Sequence, residues 1–256
     1  MFPRYMFWGW YKQFETIRKA LAFSRINGGA GPLHLSSGLL PDSLGAYIWR
    51  NTVAHNIMDI LPPSQYFDKH TEFYALVNGK RNPASLCRSN PEMREVYFMN
   101  LAEYINKTVP KSSDPYIFHI SDPDGPVVPC ECAACKTLDD KRYGDSKTGQ
   151  MIDFENYLAE HGRGVWPLNV KLETLSYSGF EAPPLVGRVN DNVIIRFGPI
   201  LKFHWGRLDS PFNSRDLKNL QGWRKLASDV RIWDYPQQYG TSAGPVFGLS
   251  VTEPSD

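Results

Sequence analysis

The sequence predicts an α/β fold of the (β/α)8 TIM-barrel-like type, as an incomplete barrel segment that lacks the last units. Three observations carry this. Apolar runs of strand length alternate with segments of helical period along the chain. About six such strands can be counted, short of the eight that a closed barrel needs. The segments that follow the strands include long polar loops, as in barrels that carry their chemistry at strand ends. An open doubly wound sheet is the second choice, weakened because no glycine-rich phosphate fingerprint follows any strand. A chain of 256 residues suits one domain over 1–256, with 235–256 an irregular tail rich in Pro, Gly and Ser.

Phe2–Trp10 reads as a first, aromatic strand, and Tyr11–Arg25 as a helix with Phe14, Ile17, Leu21 and Ala22 near one face, stopped by Asn27-Gly28-Gly29. Pro32–Ser36 is a short strand, and Asp42–Ile60 holds a helix that Pro62-Pro63 ends. Asn78-Gly79 after the apolar Phe73–Val77 predicts a hairpin. Asn90-Pro91-Glu92 supplies an N-cap, a proline at the first helical position and an acid in the first turn, opening a helix to Lys107. Tyr116-Ile117-Phe118-His119-Ile120 is long enough for a buried strand. Gly149–Glu160 is a helix, and Asn169–Tyr177 and Asn192–Phe197 are strands. Ser214–Ala227 is an amphipathic helix with Leu217, Leu220, Trp223 and Leu226 on one face, and Val230–Tyr235 is a last strand.

Composition narrows the functions. The hydrophobic share of 42% can fill a core, and the net charge of +1 argues against nucleic acid or an anionic membrane as partner. No apolar run reaches the roughly 18–20 residues of a membrane span. The N-terminal MFPRYMFWGWYKQF lacks the layout of a secretory signal, so the chain is either cytoplasmic or a piece of a longer one, and the second is favoured.

The chemistry centres on Tyr116–Asp140. The apolar strand stops at Ser121-Asp122-Pro123-Asp124-Gly125, and carboxylates on a turn at a strand end suit an acid/base pair. The same residues also make an ordinary Asp-Pro-Asp-Gly turn. Asp234, between Trp233 and Tyr235, places a carboxylate among aromatic faces of the kind that pack on sugar rings. His55, His119, His204 and Tyr177 are candidates to line the same cleft. Cys130, Cys132 and Cys135, with Cys87 or a histidine as fourth ligand, have thiolate spacing for a structural zinc. Reduced loop cysteines, or a disulfide from Cys87 to one of the trio, remain open.

Several segments together resemble the domain of unknown function 4838 family of carbohydrate-utilisation loci. They are Leu61-Pro62-Pro63 with Tyr66-Phe67, Glu72 to Arg81, and Leu86-Cys87 with Asn90-Pro91-Glu92. The Ser121–Lys136 loop, Asp191 to Arg196, and Gly222-Trp223 leading to Ile232-Trp233-Asp234-Tyr235 complete the set. The resemblance implies a (β/α)8 barrel similar to those of α-glucuronidases and hexosaminidases. It also implies a glycoside hydrolase role on a plant or microbial glycan, flanking domains in a longer parent, and export to the periplasm or outside. Asp124 matches the family's aspartate if one extra residue is allowed before Cys130, whereas Asp122-Pro123 stand where the family has an amide pair. A family histidine is displaced, with His204 near but out of register. The expectation is therefore hydrolysis through Asp124 and Asp234, with Asp122 nearby. His55, His119, Tyr177, Trp233, Tyr235 and His204 are expected on the glycan. A non-catalytic carbohydrate-binding barrel with a structural cysteine loop is the alternative.

Overall fold

The structure is a computed structural model, and it describes residues 5–8, 26–30, 55–109, 116–125, 128–203 and 206–233. Its centre is a parallel sheet. Strand β1 (Tyr5–Trp8) pairs with β2 (Ile26–Ala30) on one side and, through Tyr5 and Ile232, with the last strand on the other. After β2 come a hairpin of β3 (Tyr74–Val77) and β4 (Lys80–Leu86), then β5 (Tyr116–His119), β6 (Val170–Ser176), β7 (Val193–Phe197) and β8 (Val230–Ile232). The sheet order is β2-β1-β8-β7-β6-β5 with every pairing parallel, so among the described residues β2 and β5 are the edges and the first strand lies beside the last. No closed barrel is seen among the described residues.

Most predicted elements form where sequence logic puts them. Asn90 accepts the Met93 N–H (2.9 Å), and α3 (Pro91–Thr108) follows; the shorter α1 (Ile57–Ile60) and α2 (Pro63–Tyr66) precede it. Asn78 (φ 50°) and Gly79 (φ 74°) make the left-handed turn of the β3–β4 hairpin. Helices α5 (Gly149–His161) and α6 (Ser214–Leu226) match their periodic segments.

Two readings change and one is extended. Gly28-Gly29, read as a helix stop, lies inside β2, where an edge position tolerates glycine. A helix does stop at Ile60, just before Pro62-Pro63 as read, and Pro63 in addition begins the next one, its missing N–H costing nothing at the first turn. Within the described part of 42–60 only Ile57–Ile60 is helical, because His55 adopts φ 62° and breaks the chain's path. An unforeseen helix, α4 (Ala133–Tyr143), starts in the cysteine loop, its first turn capped by the Cys132 sulfur, which accepts the Cys135 N–H (3.4 Å). The predicted helix at 11–25 and strand at 32–36 fall outside the described residues.

Strand alternation sorts the sheet into two unlike faces. One face carries Tyr116, Phe118, Val170, Leu172, Val193, Ile195 and Phe197. All are buried in a core with Tyr97 and Leu101 of α3, Phe154 and Leu158 of α5 and Trp223 of α6. Tyr97 and Phe154 meet edge to face at 5.1 Å, and Trp223 donates its indole N–H to the Glu181 carbonyl (3.0 Å). The opposite face, alternating with these positions, carries His119, Glu173, Arg196 and Arg231, buried as well. No helix among the described residues is long and apolar enough to cross a membrane.

Candidate functional site

On the charged face the neighbours are set by register. His119 of β5 pairs with Glu173 of β6, and Arg196 of β7 with Arg231 of β8. Glu173 accepts from Arg196 Nε (2.9 Å) and, at its other oxygen, from Nη2 (2.5 Å), with Arg231 Nη1 at 3.7 Å. Burial would raise the Glu173 carboxyl, but Arg196 and the His119 N–H outweigh it and hold the group well below the usual carboxylate range. Burial keeps His119 neutral, ahead of the opposing pull of Glu173. Its Nδ1–H donates to Glu173 (3.0 Å), which leaves Nε2 to accept from the Ser121 hydroxyl (3.0 Å). Ser121 Oγ in turn accepts the His55 N–H (2.8 Å), and the Asn56 amide donates to the His119 carbonyl (2.6 Å). A relay therefore runs from Arg196 up to the loop at the C-terminal end of β5.

That loop presents the exposed chemistry. His55 donates from Nδ1 to the Asp122 carbonyl (2.8 Å), because a carbonyl can only accept, and this turns Nε2 toward Asp124 Oδ1 at 3.9 Å. The Tyr177 ring stands edge-on to the His55 ring at 6.3 Å. Burial raises the Tyr177 hydroxyl, and the nearby Asp124 carboxylate, accepting its hydrogen bond, raises it further. The Asp124 side chain is 74% exposed. The Ser178 hydroxyl ties the loops after β5 and β6 by donating to the Gly125 carbonyl (3.2 Å). Trp233, half-buried, extends the β8 ladder by donating its N–H to the Phe197 carbonyl (2.8 Å).

Asp122 points the other way. Its Oδ2 takes Arg88 Nη2 at 2.6 Å, and the Arg88 guanidinium, wholly buried, lies 4.9 Å over the Phe180 ring. Beside them Glu155 of α5 is wholly buried, with no partner of ordinary hydrogen-bond geometry among the described residues. Burial pushes its carboxyl up to about 8, against the Arg88 cation and the Thr174 hydroxyl. His119, expected on the substrate, is likewise enclosed in the relay rather than turned to solvent.

The four cysteines converge. Cys87 follows β4, Cys130 and Cys132 lie in the loop before α4, and Cys135 is in its first turn. Their sulfurs all lie within 4.8 Å of one another, and all four are free thiols. Backbone N–H groups of Leu76 (3.2 Å, to Cys130) and Cys135 (3.4 Å, to Cys132) donate to the sulfurs. Ser89 Oγ lies 3.0 Å from Cys135 Sγ. Thiols this close shift one another: hydrogen bonds from the neighbouring thiols pull Cys87 down, while Cys130, Cys87 and burial push Cys135 far up.

The structure thus brings His55, Asp124 and Tyr177 together and the cysteines together, and it separates Asp122 and His119 from the exposed group. Asp234, Tyr235 and His204 lie outside the described residues. Arg88, Ser121, Glu155, Glu173 and Arg196 were not singled out as candidates. A signal for one existed: Arg196 is the lone charge inside the otherwise apolar strand Val193–Phe197.

A search of curated proteins returned no match. A family model described as Domain of unknown function (DUF4838) matches residues 4–247, nearly the whole chain, and by that match, in line with the segments quoted above, the protein belongs to this family.

Proposed function

We propose that this protein is a glycoside hydrolase built on a TIM-barrel frame, acting on a plant or microbial glycan with Asp124 as acid/base. The observation that carries the reading is the stack at the strand ends. Exposed Asp124 stands between His55 and Tyr177, over a buried His119–Glu173–Arg196 relay on one face of a parallel sheet. A sheet covered by helices on both faces is apolar on both, whereas this one buries ions on one side, as a barrel interior does near its active end. The first strand beside the last also supports a barrel. In the reaction Asp124 gives its proton to the glycosidic oxygen as the C–O bond breaks. In the retaining course the second group bonds to the anomeric carbon, and water then displaces it with Asp124 taking the water's proton. In the inverting course the second carboxylate takes the proton of the water that attacks directly. Asp234 is the proposed second carboxylate, or the substrate's own group serves. A separation of about 5–5.5 Å predicts retention, and about 6.5–9.5 Å inversion. Trp233 and Tyr177 supply ring faces for the sugar.

The test is turnover of a panel of aryl glycosides, uronides and N-acetylhexosaminides by the chain and by Asp124→Asn. Loss of about 10²-fold or more in kcat with an unchanged melting temperature supports the role, and equal turnover by both proteins removes it. Saturable glycan binding without any hydrolysis selects the non-catalytic barrel. The locking of Asp122 onto Arg88 favours that second reading, because it withdraws one carboxylate from the cleft.

The cysteines are read as a structural zinc centre. Zinc–sulfur bonds of about 2.3 Å put tetrahedral thiolates about 3.8 Å apart, close to the 3.6 Å between Cys87 and Cys132 Sγ. An iron–sulfur cluster interposes its own atoms and needs a wider spread. One zinc per chain in reduced protein, by elemental analysis, is the expected result, and none would end the reading.

A further inference from the structure

We propose that the metal at the four cysteines is a strut for the proposed sugar-site loop: its occupancy holds Ser121–Gly125 in place through the dipeptide Cys87-Arg88. The inference rests on the tetrathiolate reading and adds to it a coupling between two sites.

The connection is short and made of buried groups. Cys87 is a ligand of the cluster, and the next residue, Arg88, is wholly buried and bonded to Asp122 at 2.6 Å. The same guanidinium covers the Phe180 ring just after β6, and between those two points Ser178 bonds Gly125. Moving Cys87 therefore moves the contacts under both loops that carry Asp124 and Tyr177. The far side of the cluster is anchored too. The Glu131 N–H donates to the Leu76 carbonyl (2.8 Å), Asn78 donates to the Glu131 carboxylate (2.8 Å), and Cys130 donates to Gln150 Oε1 of α5 (2.9 Å). The cluster thus joins hairpin, loop and helix, and the apolar patch immediately around the thiols is small: Ala75 with Cys87, Cys130 and Cys135, and Leu76, Val77 and Cys132 at its margin. Such a patch is too small to fix a loop by burial alone. A metal replaces many weak contacts with four strong, directed bonds.

The experiment combines zinc content with hydrogen exchange in reduced protein, before and after chelation, read on peptides over 116–125 and 174–182. The α6 helix, Ser214–Leu226, is the internal control. On loss of zinc, exchange in the two strand-end peptides should rise at least tenfold while α6 changes less than twofold. Stoichiometric zinc whose removal leaves both peptides unchanged overturns the strut and keeps the tetrathiolate. Reduced protein that binds no zinc overturns both. If chelation unfolds the whole chain, Cys132→Ser, at the half-exposed ligand, decides: across a zinc titration, exchange at 116–125 must follow occupancy while α6 stays constant. Exchange that ignores occupancy in this variant overturns the proposal.

Discussion

On the two faces of one sheet, two wholly buried glutamates meet different company. Glu173 sits on the charged face with Arg196 in a two-pronged pair, the His119 N–H on one oxygen and Arg231 at the margin. Glu155 reaches toward the other face, near Thr174. The nearest cation there, Arg88, is already engaged by Asp122. Burial raises both carboxyls, yet one ends far below its ordinary value and the other up at about 8. Depth in the protein does not decide ionisation; the geometry of the partner does.

The comparison breaks most sharply at Arg196. Arg196→Met removes the cation and leaves Glu173 buried against the reduced company of His119 and Arg231, with an expected loss of about 3–5 kcal/mol in urea unfolding. A loss below about 1 kcal/mol would mean that Glu173 is held by its other neighbours, and the contrast with Glu155 would disappear.

Glu155 tests the opposite case through pH. Its folded value, about 8, lies above the ordinary 4.5, so its contribution to stability is fully present below about pH 4.5. That contribution shrinks by up to about 1.4 kcal/mol per pH unit above this and is gone once the pH passes the folded value. Glu155→Gln cannot ionise. The variant should therefore gain on the parent by a few kcal/mol between pH 5 and pH 8. Parallel melting curves across that range would show that Glu155 is ionised in the folded protein, shared with Arg88.

The smallest effect belongs at the surface. Asn90→Ala deletes the cap of α3 and leaves the Met93 N–H without its side-chain acceptor, so about 1 kcal/mol is expected by thermal unfolding. A loss as large as that of Arg196→Met would point to a role for the Asn90 side chain beyond the helix end, where its amide also reaches the Glu72 carbonyl at 3.3 Å.

Elements whose signal is local were readable in advance. Tyr116–His119 is apolar and forms a strand buried along its length, Asn78-Gly79 can only make a left-handed turn cheaply, and Asn90-Pro91-Glu92 carries its own cap. Gly28-Gly29 misled because glycine stops a helix and equally lies in an edge strand, and the partner strand β1 makes the choice. Helix α4 was hidden because a cysteine sulfur served as its cap, a role usually held by oxygen. Within the site, the chemistry-bearing types at Asp122 and Asp124 were visible, but not that they point apart: two residues on one turn can face opposite ways.

The sequence by itself determined the family, the alternation of strands and helices, the hairpin, the caps and the thiol spacing, because each depends on residues near one another in the chain. Only the tertiary structure decided that Cys87 meets the other three thiols, that Arg88 claims Asp122, that the first strand lies beside the last, and that partners pull the Glu173 carboxyl down while burial pushes Glu155 up. Those outcomes rest on side chains tens of residues apart, and Coulomb and hydrogen-bond energies depend on distance in space rather than along the chain.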